Sequence, residues 1–158
     1  MTVTFNFTEY LRAARSLHII PLPLDMTLFS VYIGGKATKE MAMGLVQYSD
    51  NGFFAPRKIA EAFRTTSEEV ARTAGLGKDA VQRKDRVRSD KTQKRLREMI
   101  EIINKTEPRF GSGLMAYAWF RSEPLAGFSG QTAMQLVRNG RAEEVLDYID
   151  AVDAGVHV

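Results

Sequence analysis

From Pro56 onward the apolar residues recur every three or four positions, the period of an amphipathic helix, and no stretch alternates as a half-buried strand would. Pro56 stands where a helix accepts proline at N1, and Ile59, Ala60 and Phe63 then share one inner face. A second helix starts at Thr66 or Ser67, a hydroxyl cap followed by Glu68 and Glu69, whose charges suit the positive end of the helix dipole. It stops at Gly75. A third, short helix is expected from about Lys78 to Arg83 or a little beyond, and a longer fourth from about Asp90 to Asn104, with Leu96, Met99, Ile100 and Ile103 as its stripe. Glu107-Pro108 is expected to close that segment.

The last third predicts a helix over Gly113 to Phe120, a loop from Arg121 to Gln131, and a helical hairpin to the end. Thr132 and Gln135 have the spacing of a capping box, Asn139-Gly140 ends the short helix, and Gly155 stands where a left-handed C′ residue is wanted. Between them Val145, Leu146, Tyr148, Ile149 and Val152 form one broad stripe. The first fifty residues are less regular. Thr8 can cap a helix to about Ser16, Pro21 and Pro23 enforce an extended stretch, and Met26 to Ile33 fits a strand or a buried helical piece. A helix from Thr38 to about Tyr48 would end at Asp50-Asn51-Gly52. The expected fold is all-α: an N-terminal extension (1–52), a helix-turn-helix region (53–104) and a small helical C-terminal domain (105–158).

Composition narrows the classes. A chain of 158 residues can bury roughly two-thirds of its unfolded surface, so it needs no staple to hold a core. It has no Cys, which removes thiol nucleophiles and thiolate metal sites and fits a reducing compartment. Glu9, Arg12 and Arg15 interrupt the stretch a signal peptide would need, and no run approaches the roughly 18 apolar residues of a membrane span, so the reading is cytoplasmic. The net charge of +3 is unevenly spread: residues 78–97 hold nine Lys/Arg against three Asp/Glu, and residues 140–158 hold one against five. Such a split fits two partners of different charge, a phosphate-bearing one for the basic block and another for the acidic end; it equally fits two solvated helix faces.

Ala71, Gly75 and Val81 stand at helix-turn-helix spacing: a small residue for close helix approach, a glycine for the positive φ of the turn, and a branched residue anchoring the second helix. With Ala80 and Val81 inward, Lys78, Asp79, Gln82 and Arg83 would face outward; Gln suits adenine and Arg suits guanine in a major groove. Lys84, Arg86, Arg88, Lys91, Lys94 and Arg95 follow as candidates for phosphate contact. The same spacing also fits two short helices of an ordinary bundle. Asp79 argues mildly against a groove, where it would meet phosphate repulsion.

Enzymatic signals are weak. His18 and His157 lie near opposite ends without ligand or triad spacing, and Gly34-Gly35-Lys36 is no phosphate loop, because Ser30 and Ala37 occupy positions that need Gly and Ser/Thr. Glu143, Asp147 and Asp150 share a helix face that reads as a solvated or partner-facing acidic surface. The residues assign no catalytic group, no metal ligand and no cofactor.

The run Ala118-Trp119-Phe120-Arg121-Ser122-Glu123-Pro124-Leu125, then Gly127 to Ala133, Leu136 to Glu143 and Asp150 to Val158, closely resembles the C-terminal toxin-binding domain of the Xre/MbcA/ParS antitoxin family. The resemblance extends over about residues 50–158, since a basic helix-turn-helix precedes that domain in the family. It implies an all-helical antitoxin that pairs with a RES-domain toxin, a destroyer of cellular NAD, and that represses its own operon, acting as a homodimer on operator DNA. It also implies that the C-terminal domain covers the toxin's active-site cleft. Carried onto this chain, the toxin-facing candidates are Gly127, Phe128, Gly130 and Thr132 in the loop and Asp153, Gly155, Val156, His157 and Val158 in the tail, while Trp119, Leu136 and Val145 are assigned to packing. Ser129 stands where the family has Gly, and residues 1–50 have no counterpart. The rival reading is a stand-alone helix-turn-helix regulator whose C-terminal domain serves dimerisation or another protein contact.

Overall fold

A computed structural model describes residues 44–155. The Thr8 helix, the Pro21/Pro23 stretch, the segment Met26 to Ile33, His18, Gly34-Gly35-Lys36 and the tail candidates Val156, His157 and Val158 lie outside the described residues. Strands β1 (Ser49–Asp50) and β2 (Phe53–Phe54) are followed by α1 (Pro56–Ala62), α2 (Ser67–Thr73), α3 (Asp79–Gln82), α4 (Lys84–Val87), α5 (Asp90–Phe110), α6 (Gly113–Ser122), α7 (Ala133–Arg138) and α8 (Ala142–Asp153). The described residues are thus all-helical apart from one two-stranded hairpin.

That hairpin is the first departure from expectation. Of the helix expected from Thr38 to about Tyr48, residues 38–43 lie outside the described residues, 44–46 are helical and 47–48 form a turn; Asn51-Gly52 then turns the chain so that Ser49 pairs with Phe54 and Asp50 with Phe53. Both turn residues have positive φ, 48° and 79°, the backbone that a two-residue hairpin of primed type demands and that Asn-Gly supplies at least cost. Strands this short leave no alternation to read. What secures them is distant in sequence: the Gln93 side chain on α5 accepts from the Phe54 amide (2.8 Å) and donates to the Phe54 carbonyl (3.0 Å) and the Val87 carbonyl (2.9 Å).

Helix α5 is the spine. Ser89 caps it, and Leu96, Met99, Ile100, Ile102 and Ile103 are fully buried along it. It does not end before Pro108, as the sequence pattern predicts, but continues to Phe110. Proline costs one backbone hydrogen bond, yet here it falls in the last turn, and the helix is completed by Gly111 at φ 74°, whose amide donates to the Glu107 carbonyl at 2.9 Å. The buried Thr106 hydroxyl, one turn earlier, donates back to the Ile102 carbonyl at 2.9 Å.

Gly111 and Ser112 reverse the chain so that α6 lies back along α5, with the Ser112 hydroxyl accepting from the Met115 amide. Helices α7 and α8 then pack on α5 and α6 through Ala133, Leu136, Val137, Ala142, Val145, Leu146 and Ile149, all buried. Helices α1 and α2 reach the same core. The Phe63 ring stacks on Tyr117 at 4.5 Å and lies 5.4 Å from Tyr48, and the Thr73 hydroxyl is 3.1 Å from the Tyr117 hydroxyl in the interior. Each large side chain buried here contributes on the order of 1.5–3 kcal/mol.

Candidate functional site

The basic stretch begins at the end of α2. Thr66 caps that helix, accepting from the Glu69 amide at 3.2 Å, and the helix closes in a Schellman arrangement: Leu76 N–H donates to the Ala71 carbonyl (2.8 Å) and Gly75 N–H to the Arg72 carbonyl (3.1 Å). Gly75 sits at φ 72°, and Ala71 is buried, as the spacing predicts. Beyond the turn the geometry differs from expectation. The helix expected from Lys78 to Arg83 is confined to Asp79–Gln82, because Arg83 adopts an extended backbone (φ −104°, ψ 130°) before α4 begins. Neither α3 nor α4 contains a buried residue; Ala80 and Val81, expected to anchor the second helix, are only half-buried.

The expected DNA-contacting groups are distributed along this surface. Gln82, Lys84, Arg86 and Lys91 are exposed. Lys78 is held 2.7 Å from Glu68, whose hydrogen bond and charge raise the ammonium above its ordinary range. Arg83 lies 3.9 Å from Asp85, and the Arg88 guanidinium stands over the Phe53 ring at 5.3 Å, tying the basic stretch to the hairpin. Arg95, by contrast, faces inward: it donates to the Val137 carbonyl (2.6 Å) and pairs with Glu98 (3.1 Å), so its role is to fasten α7 to α5 rather than to contact phosphate.

The second candidate surface is the loop before α7. Gly127 and Gly130 both have positive φ, 79° and 77°, and Ser129 between them takes the same left-handed conformation at 53°. The departure from glycine at this position therefore leaves the backbone in the left-handed region, at a modest conformational cost. Leu125 N–H donates to the Gln131 carbonyl (2.8 Å) and Gln131 N–H to the Phe128 carbonyl (3.0 Å), closing the loop on itself. Phe128 anchors it, its ring nearly perpendicular to that of Tyr148 of α8 at 5.9 Å and the Arg141 guanidinium over it at 5.7 Å. Arg141 also donates to Gln131 (3.2 Å) and forks onto Glu144 (2.7 Å to each oxygen), raising its own affinity for the proton and lowering that of Glu144. Thr132 and Gln135 complete the capping box that the spacing predicts, at 3.2 and 2.9 Å.

The tail leaves α8 at its far end. Asp153 is paired with Arg109, which also donates to the Ile149 carbonyl at 2.9 Å, and Gly155 turns out of the helix at φ 75°. Loop and tail therefore occupy different stations along α8: Phe128 rests against Tyr148, and the tail starts beyond Asp153, beside the end of α5. The acidic end is also more compensated than its sequence suggests. Asp150 is 2.6 Å from Lys105, Asp153 is held by Arg109 and Glu144 by Arg141. No local pattern signals the pairings with α5: Arg109 and Asp153 stand 44 positions apart.

The described residues contain no group of three or more His, Asp or Glu placed to hold a metal ion, and no helix among them is long and apolar enough to cross a membrane. What they define is a helical protein with a preformed, internally bonded loop and an acidic terminal helix on one unit, joined through α5 to a basic stretch on the other. Residues 107–155 match the family model of the antitoxin Xre/MbcA/ParS C-terminal toxin-binding domain. No curated protein and no solved structure matches the chain. Both the loop and Asp153 fall within the matched residues.

Proposed function

We propose that this protein is a cytoplasmic, non-enzymatic antitoxin that neutralises a RES-type, NAD-degrading toxin by covering its active site, and that represses its own operon as a homodimer through residues 53–104. The observation that carries the reading is the match over 107–155 on a unit whose loop is already built, so that little ordering cost remains for binding. Gly127, Phe128, Gly130 and Thr132 supply the loop surface, and Asp153, Gly155, Val156, His157 and Val158 supply the tail. On the DNA side, Gln82 and Arg83 read bases from the face that also presents Lys78, and Lys84, Arg86, Arg88 and Lys91 contact phosphates. A cation-rich stretch joined to a toxin-binding unit supports two partners on one chain. No cofactor is required.

Deleting residues 154–158 tests the neutralising arm, with survival of cells that co-express a RES-type toxin as the readout. The expected result is weaker protection with DNA binding unchanged. Full protection by the truncated chain would show that the tail does not occlude the toxin, and failure to co-purify any toxin would favour the stand-alone regulator instead.

A further inference from the structure

Where the turn after α2 meets the end of α7, the two units form an open cleft of about 440 Å³ lined by Arg72, Gly75, Leu76, Gly77, Arg138 and Asn139. Two arginines from different units line it and no carboxylate does. Arg72 is tethered to Glu69 through one nitrogen and remains mostly exposed; Arg138 is exposed and makes no ion pair among the described residues. The stem of Arg138 is fixed by packing. A Cβ at Gly75 would lie 2.9 Å from Arg138 Cγ and 3.1 Å from its Cα, so only glycine lets the turn approach this closely, whereas a Cβ at Gly77 would meet nothing within 4 Å.

We propose that this cleft seats a phosphate of the DNA backbone, so that the toxin-binding unit itself supplies a DNA contact, Arg138. The inference rests on the reading that the basic stretch binds DNA. Planar guanidinium groups suit phosphate, and glycine leaves the backbone open to close approach. The cleft is open to solvent, its lining residue Gly77 directly precedes Lys78 in the chain, and the lining contains no aromatic ring on which a base could stack, which favours a passing phosphodiester over a bound nucleotide. The sequence pattern points to phosphate contacts between Lys84 and Arg95 and gives no role to Arg138, because the adjacency of residues 75 and 138 exists only in three dimensions.

The test uses the full chain and two labelled duplexes of equal length, one from the DNA immediately upstream of its reading frame and one unrelated, with binding measured as KCl is varied. Arg138→Gln, which keeps the stem against Gly75 and removes the charge, is expected to weaken binding to both duplexes by the same factor and to flatten the slope of log K against log salt by about 1. Arg138→Lys should retain the slope, and an unchanged thermal midpoint confirms that neither variant has lost the fold. An unchanged slope in Arg138→Gln, with the wild type binding normally, overturns the proposal alone. Wild-type protein that binds neither duplex overturns the DNA reading and this inference with it. If inorganic phosphate raises the thermal midpoint in an Arg138-dependent way while the DNA slope is unmoved, the cleft takes a free anion and the proposal falls.

Discussion

Two neighbouring parts of this chain are held together by different physics. Helices α7 and α8 bury seven side chains, carry a complete capping box and are fastened to α5 by Arg95 and Arg109. Helices α3 and α4, four residues each, bury none, and the ion pairs at their ends, Lys78 with Glu68 and Arg83 with Asp85, lie in solvent. Apolar burial fixes the C-terminal unit by itself, whereas the basic stretch is ordered by its connections and by Gln93 and Phe53 at its edge. A preformed surface suits a partner whose cleft must be matched in shape; a thinly packed cationic stretch suits a polymer that supplies its own counter-charge.

The largest test of this contrast is truncation on each side of it. Leu136→Ala should lower unfolding stability by about 2–5 kcal/mol, since the side chain is fully buried, while Val81→Ala should cost less than about 1 kcal/mol, both read from denaturant unfolding. Equal losses would mean that α3 is anchored as firmly as α7.

Next in size is the buried Tyr48, whose phenol is pushed up to about 12 from 10.0, first by burial and then by the Glu107 carboxylate. Because the folded value is the higher, the stabilisation is fully present below pH 10 and is lost as pH rises toward 12, roughly 2–3 kcal/mol in all. Tyr48→Phe should remove that alkaline loss, and a wild-type stability flat across this window would show that the seam between α1 and the α5–α6 corner is wetter than its packing implies.

Thr132→Ala should cost about 1 kcal/mol, as loss of an N-cap does, and should loosen the loop surface more than the basic stretch, visible as faster amide exchange over residues 125–135. The smallest effect is expected from Glu68→Gln. Its partner Lys78 is mostly exposed and solvent screens the pair, so the denaturant midpoint should not move measurably, and a clear loss would reveal structure in the basic stretch beyond what burial accounts for.

Much of the fold was legible before any coordinates. Pro56, Thr66, Gly75, the capping box at Thr132 and Gly155 are local devices whose effect is completed within a few residues, and each acts where it was expected. The misread elements were those whose outcome depends on distant groups. Asn51-Gly52 closes a hairpin held by Gln93, thirty-nine positions on from Phe54, and Pro108 is carried inside a helix whose buried face outweighs one lost hydrogen bond. Among site residues, the loop glycines and Thr132 were identifiable from their pattern. The pairing of Asp150 and Asp153 with α5, the inward role of Arg95 and the cleft at Arg138 were not.

The sequence by itself determined the helical period, the caps and stops, the absence of thiol chemistry, and the segregation of positive from negative charge, because these follow from local sterics, dipoles and composition. Only the tertiary structure decided which charges meet one another and which face solvent. Ion pairing and cleft formation act through space, between side chains whose separation along the chain carries no information about their distance.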